Sequence, residues 1–140
     1  MVGLIGHGID LIEIDRIKAA GDRFGDRFWQ RLFTREERSL AAAYRDAAPF
    51  YAGRFAAKEA VLKSLGTGLR QASWQDVEII RGAKGEPIVR IHGELARQMQ
   101  RIGVSRVLVS ISHSRSHAVA SAMAVRDFWE TLPQLENAEG

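Results

Sequence analysis

The 140-residue chain contains no cysteine, which excludes a disulfide framework and any thiolate metal site. No apolar run approaches the ~18 residues that a membrane-spanning helix needs. The opening stretch, MVGLIGHGIDLIEIDRI, has no basic segment ahead of its apolar residues and carries acids early. It therefore does not read as a signal peptide, and a cytoplasmic location is expected. No internal repeat or low-complexity segment breaks the chain. Residues 127–140 lack Lys and Arg altogether but hold Asp127, Glu130, Glu136 and Glu139.

That last absence makes the charge uneven. The net charge is +3, and residues 1–126 carry 20 basic against 13 acidic side chains. A basic body of this kind suits an anionic partner: a phosphorylated small molecule, an acidic protein or nucleic acid. Hydrophobic content is 46% and charged content 26%, ordinary for a globular chain. The length suits one domain, placed at residues 1–126, followed by an acidic tail at 127–140.

Residues 4–14 read as a strand and 15–31 as a helix interrupted at Gly21 and Gly25. Thr34 and Glu37 form a T-x-x-E capping box, predicting a helix from Arg35 that fades before Pro49. A further helix is expected over 50–65, stopped by Gly66. Strands near 75–82 and 87–92 flank the turn signal AKGE, and 93–102 is a short helix ended by Gly103. VSRVLVSIS and HAVASAMAV alternate as a second hairpin. The pattern predicts an α+β domain of helices on a mostly antiparallel sheet.

Three stretches place charge where packing alone would not. On the helix over 50–65, at about 100° per residue, Tyr51, Phe55, Leu62 and Leu65 form an apolar stripe. Lys58 falls inside it, with Arg54 and Glu59 on its flanks and Lys63 a turn beyond Glu59. Snorkelling of Arg54 and Lys58 beside a Glu59–Lys63 pair is one reading. A polar, anion-filled cleft beside the helix is the other. On the first strand, Asp10 follows Gly6 and Gly8 on one face. Glycines weaken a strand, and their use here suggests close approach by a ligand or another backbone. Asp10 and Glu59 are oxygen donors of the sort that hold Mg²⁺ together with substrate phosphates. Nearby Arg and Lys would take the remaining phosphate charge, which suggests metal-assisted phosphoryl chemistry.

The third stretch, SISHSRSHA, puts His113 and hydroxyls at Ser112, Ser114 and Ser116 around a hairpin tip. A His113/His117 zinc pair is disfavoured, because i, i+4 spacing suits a helix and not a turn.

Together the segments GIDLIEIDRI, LFTREE, GRFAAKEAVLKSLGTG, WQDVEI and VSISHS resemble the holo-[acyl-carrier-protein] synthase family, the short class of 4′-phosphopantetheinyl transferases. The resemblance implies transfer of the 4′-phosphopantetheine arm of coenzyme A to a serine of apo-acyl carrier protein, releasing adenosine 3′,5′-bisphosphate. It implies Mg²⁺, a homotrimer with active sites between subunits, and a place in fatty acid biosynthesis. Residue by residue, it puts the metal on Asp10 and Glu59. Lys63 would stabilise diphosphate charge, completing a catalytic set of Asp10, Glu59 and Lys63. Arg54, Lys58, Lys63, Gly66, His113 and Ser114 fall at coenzyme A contacts. Arg16, Arg23 and Arg27 fall on the helix that docks the acidic carrier protein. His117 stands where the family often has an aromatic residue. A nucleic-acid-binding domain, the main alternative, leaves Asp10 and Glu59 without a role, since carboxylates repel phosphate, and no such binding motif is present. Neither nucleic acid nor membrane is an expected partner.

Overall fold

A computed structural model gives the fold and describes residues 1–66, 68–69 and 71–127. Strand β1 (Val2–Glu13) leads into helices α1 (Ile14–Phe24), α2 (Asp26–Leu32), α3 (Arg35–Ala41) and α4 (Ala48–Ser64). The hairpin β2 (Val77–Arg81) and β3 (Pro87–Ile91) follows, then α5 (Gly93–Arg101) and a second hairpin, β4 (Arg106–His113) and β5 (His117–Asp127). A three-stranded antiparallel sheet runs in the order β1-β5-β4, and β2-β3 pair apart from it. The architecture is α+β, as the patterning predicts. The proposed acidic tail begins inside the fold: Asp127 ends β5 and pairs with Arg106 at 3.0 Å. The rest of that tail lies outside the described residues.

Helix α4 lies across the three-stranded sheet. Its Ala52, Ala56, Ala57 and Ala60 are buried, as are Ala118, Ala120, Ala122 and Ala124 of β5. Facing alanines let helix and sheet approach closely. The approach is closest over β1, where a Cβ on Gly6 or Gly8 would stand 2.2 Å from the carbonyl oxygen of Ser64 or Ala60. The two glycines of the first strand therefore admit the backbone of α4, one of the two causes anticipated for them. The helix is buried on nearly all sides, because α1 to α3 and β2 cover its other face. An apolar stripe of four residues understates this.

Two local expectations change. Gly21 does not interrupt α1; only Gly25 does, with φ of 67°. The helix runs through Gly21, whose missing side chain leaves the space that the Trp29 ring occupies, 2.0 Å from an ideal Cβ. The helix opened by Thr34 ends at Ala41, and α4 starts at Ala48 with Pro49 in its first turn, where the missing N–H costs no hydrogen bond. The capping box itself is present, with Glu37 N–H donating to Thr34 Oγ1 at 3.2 Å and Thr34 N–H to Glu37 Oε1 at 2.8 Å. Gly66 takes a φ of 68° just past α4, the left-handed conformation expected of a helix-ending glycine.

Candidate active site

The close contact between β1 and α4 brings Asp10 beside Glu59 and Lys63. Lys63 Nζ lies 3.1 Å from Asp10 Oδ1 and donates to the Ile9 carbonyl at 3.0 Å. Its side chain remains 56% exposed, while that of Asp10 is 12% exposed. The Glu59 carboxyl stands beside that of Asp10 on the wall of one cavity. Glu59 is pushed up to about 7, first by burial, then by the hydrogen bond and charge of Asp10, against a smaller lowering by Lys63. Two neighbouring carboxylates with one exposed cation, Lys63, on Asp10 favour a further positive charge. Their oxygens suit a hard divalent ion completed by phosphate and water. Among the described residues no third His, Cys, Asp or Glu joins them.

Asp10 and Glu59 open into a cavity of about 380 Å³ whose walls include Arg16, Phe28, Phe55 and Trp74. A second cavity, about 410 Å³, holds Glu59 with Leu62, Lys63, Gly66 and Leu69. Arg23 and Arg27 are exposed on the same helical pair as Arg16, and Arg23 lies over the Phe24 ring at 5.1 Å.

Arg54 and His113 meet elsewhere. They line a third cavity of about 380 Å³ with Tyr44, Phe50 and Pro87, and none of its residues lines either cavity that holds Glu59. Arg54 stacks on Phe50 at 4.5 Å, and its buried Nε has no hydrogen-bond partner. Burial lowers its pKa, and the charge of Arg81 adds to this. An orphaned guanidinium nitrogen beside a cavity fits an anionic ligand. Ser114 has a structural task as well: its Oγ accepts from the N–H groups of Ser116 at 3.3 Å and His117 at 3.2 Å, holding the hairpin turn.

Lys58 is a correction. Inside the apolar stripe it reaches no cleft and is fully buried. Its ammonium donates to Glu37 Oε1 at 2.8 Å, to the Trp74 carbonyl at 3.0 Å and to the Val77 carbonyl. All three N–H bonds are thus satisfied inside the protein, and none remains for a coenzyme A phosphate. Glu37 joins the surroundings of the long helix only through this contact. The T-x-x-E motif marks Glu37 as a cap, and nothing local signals that its carboxylate also meets Lys58.

A family model described as the 4′-phosphopantetheinyl transferase superfamily matches residues 6–122. The chain belongs to that superfamily. The transferase is 48% identical over 122 residues to a holo-[acyl-carrier-protein] synthase of Desulforudis audaxviator, covering 87% of this chain and 93% of the relative. Its fold is similar to the crystal structure of holo-[acyl-carrier-protein] synthase from Neisseria meningitidis, with a TM-score of 0.80, 32% identity, and coverage of 87% of this chain and 98% of the other. It is also similar to the holo-(acyl-carrier-protein) synthase of Bacillus anthracis in complex with CoA (3′,5′-ADP). There the TM-score is 0.73, identity 35%, and coverage 89% of this chain and 98% of that one. The resemblance read from the motifs is borne out, and with it the enzyme class of the transferase, holo-[acyl-carrier-protein] synthase.

Proposed function

We propose that this chain transfers the 4′-phosphopantetheine arm of coenzyme A to a serine of apo-acyl carrier protein, with Mg²⁺, in the cytoplasm and in the service of fatty acid biosynthesis. Relatives named for the reaction and one bound to coenzyme A support the substrates. The observation that carries the reading is the Asp10, Glu59 and Lys63 cluster at the mouth of a cavity that also holds Arg16.

The residues divide the task. Asp10 and Glu59 would hold Mg²⁺, which supplies Lewis-acid polarisation of the phosphate under attack. Lys63, exposed and free to turn from Asp10, meets charge developing on the leaving bisphosphate. Arg16, Arg23 and Arg27 orient the acidic carrier protein, whose serine is the nucleophile. This chain needs no nucleophile of its own. Glu59 borders both cavities beside the cluster, whereas His113 of the same chain opens into the third. Within one chain, Glu59 is therefore the group at the carboxylate pair that can take the serine proton.

The separated third cavity supports a site shared between copies. Arg54, with its unpaired Nε, and His113 suit the nucleotide phosphates. Their cavity shares no lining residue with those of Asp10 and Glu59, so a single coenzyme reaches both sets most readily when two copies lie side by side. The outer face of the sheet gives copies something to bury: Ile9, Leu11, Leu108 and Met123 are exposed there. An apolar patch of this kind marks an interface, in line with the homotrimer the resemblance implies.

The test is the intact mass of an apo-acyl carrier protein after incubation with the protein, coenzyme A and Mg²⁺, with an EDTA control. A gain of about 340 Da, seen only with the ion, is expected. No gain on several apo-carriers, with the protein folded, would overturn the assignment.

A further inference from the structure

Helix α2 follows Gly25, whose φ is 67° and where an ideal Cβ would meet nothing within 4 Å. Packing at this residue does not lock the joint between α1 and α2. On its core side α2 rests on rings. Trp29 stacks on Tyr51 of α4 with centroids 4.1 Å apart, and Phe33 lies 4.6 Å from the same ring. Aromatic pairs are stable over a range of offsets and tilts, so these contacts hold α2 close without fixing how it slides. Hydrogen bonds are directional and do fix it.

The directional contact comes from far along the chain. Gln75 donates its side-chain amide to the carbonyl of Gln30 and to that of Phe33, the latter at 3.3 Å. Both carbonyls stand at the C-terminal end of α2, where a helix leaves its last carbonyls without partners of its own. Gln75 sits in a 3₁₀ turn, Trp74–Asp76, whose other two residues are tied down. The Trp74 carbonyl accepts from buried Lys58 of α4 at 3.0 Å, and the Asp76 carbonyl accepts the His92 N–H at 2.8 Å. Hydrogen bonds thus run from α4 through two consecutive residues to the end of α2.

This connection bears on the cavity that holds Asp10 and Glu59. Phe28 and Leu32 of α2 line it together with Phe55 and Glu59 of α4 and with Trp74. Trp74, like Glu59, also lines the second cavity beside the carboxylates. The opening at the carboxylate pair therefore depends on where α2 sits relative to α4. Gln75 lines neither cavity, so its effect on them passes through α2.

We propose that Gln75 is a positioning residue: it holds the end of α2 so that a carrier protein docked on the basic helices presents its serine at the carboxylate pair. The proposal rests on the carrier-protein reading above and adds a residue that aligns the reactants without touching them. A misplacement of about 1 Å costs up to about 10²-fold in rate, whereas docking spreads over many contacts and changes less.

The experiment compares Gln75→Met, which keeps the length of the side chain but not its donors, with Gln75→Lys, which keeps a donor for the carbonyls. Gln75→Ser, too short to reach either carbonyl, is a second donor-free variant. Gln75 is exposed, so all three should fold, and thermal unfolding checks this. Single-turnover transfer is measured at saturating coenzyme A and apo-acyl carrier protein, and the affinity for each is measured by calorimetry. The donor-free variants should transfer about tenfold more slowly or worse, with coenzyme A affinity unchanged and carrier affinity altered by less than about threefold. Gln75→Lys should recover most of the rate. Because the chain has no cysteine, spin labels on Arg31→Cys of α2 and Gln100→Cys of α5, both exposed positions, report the placement of α2. Their distance distribution should broaden in the Gln75→Met background. A donor-free variant as fast as the wild type, a loss that Gln75→Lys does not recover, or an unchanged distance distribution overturns the role. So does a rate loss matched by weaker coenzyme A binding. A wild-type protein that modifies no carrier overturns the reading on which the proposal rests.

Discussion

Lys58 and Glu37 form an ion pair of 2.8 Å with both side chains fully buried. The pair joins α4 to α3. The second Glu37 oxygen accepts the Ile79 N–H at 2.9 Å, which draws in β2. Thr34 extends the chain of contacts to Glu78 at 2.5 Å, and Glu78 meets His92 at 3.0 Å. Burial lowers the Lys58 pKa, and the charge and hydrogen bond of Glu37 oppose that lowering.

Removing one partner strands the other charge without compensation. Glu37→Ala or Lys58→Ala should each destabilise the protein by about 3–5 kcal/mol. The double variant Glu37→Leu/Lys58→Met should lose less than the two single losses combined. Urea unfolding of the four proteins measures this. Strict additivity would show that the pair does not act as a unit.

Asp10→Ala should abolish transfer and leave the fold intact, since the Asp10 side chain is partly exposed at the cavity mouth. Loss of its hydrogen bond and charge should also lower the Glu59 pKa from about 7 towards the ordinary carboxyl range. The shift stops short of that range, because burial, its largest cause, is unchanged. Carbon NMR titration of labelled Glu reads this directly. A fully active Asp10→Ala would remove the core of the assignment.

The raised Glu59 pKa links stability to pH. A carboxyl whose folded pKa lies above its unfolded value favours folding when protonated. The contribution is complete below about pH 4.5 and is lost as pH rises through about 7. Metal-free protein should therefore lose this increment across that window, and saturating Mg²⁺ should restore stability at its upper end. Unfolding curves at a series of pH values, with Mg²⁺ and with EDTA, test the sign. A metal-free protein that gains this increment between those limits contradicts it.

Gly8→Ala should separate the two carboxylates. Its new Cβ would stand 2.2 Å from the Ala60 carbonyl oxygen and 2.7 Å from Lys63 Cβ. The helix backbone must move, at a cost of about 1–3 kcal/mol. Activity should fall by more than the stability loss explains, because Asp10 and Glu59 are carried on the two elements forced apart. Transfer rate measured well below the melting temperature distinguishes this from partial unfolding.

Carrier-protein affinity should fall with ionic strength. The basic residues Arg16, Arg23 and Arg27 are exposed, and exposed charges are strongly screened at about 0.5 M salt. Arg23→Glu, outside the cavities that hold Glu59, should weaken carrier binding at low salt and flatten the salt dependence, without altering coenzyme A affinity. Unchanged carrier affinity between low salt and about 0.5 M would count against an electrostatic docking surface.

Much of this protein was legible in the order of its residues. Period-two and helical patterns located nearly every element, the capping box at Thr34 and Glu37 is present, and Gly66 ends α4. Asp10, Glu59 and Lys63 could be singled out because each breaks a local pattern, and the fold brings them together. These features depend on neighbours along the chain, and local chemistry sets them. The tertiary structure alone decided the fate of Lys58, whose partner is 21 residues away in sequence. It alone placed Arg54 and His113 in a cavity apart from Glu59, and it alone made Trp74 a wall between two others. A wheel or an alternation shows on which side of an element a side chain lies. What waits on that side, an anion or a buried carboxylate, depends on segments brought there by packing.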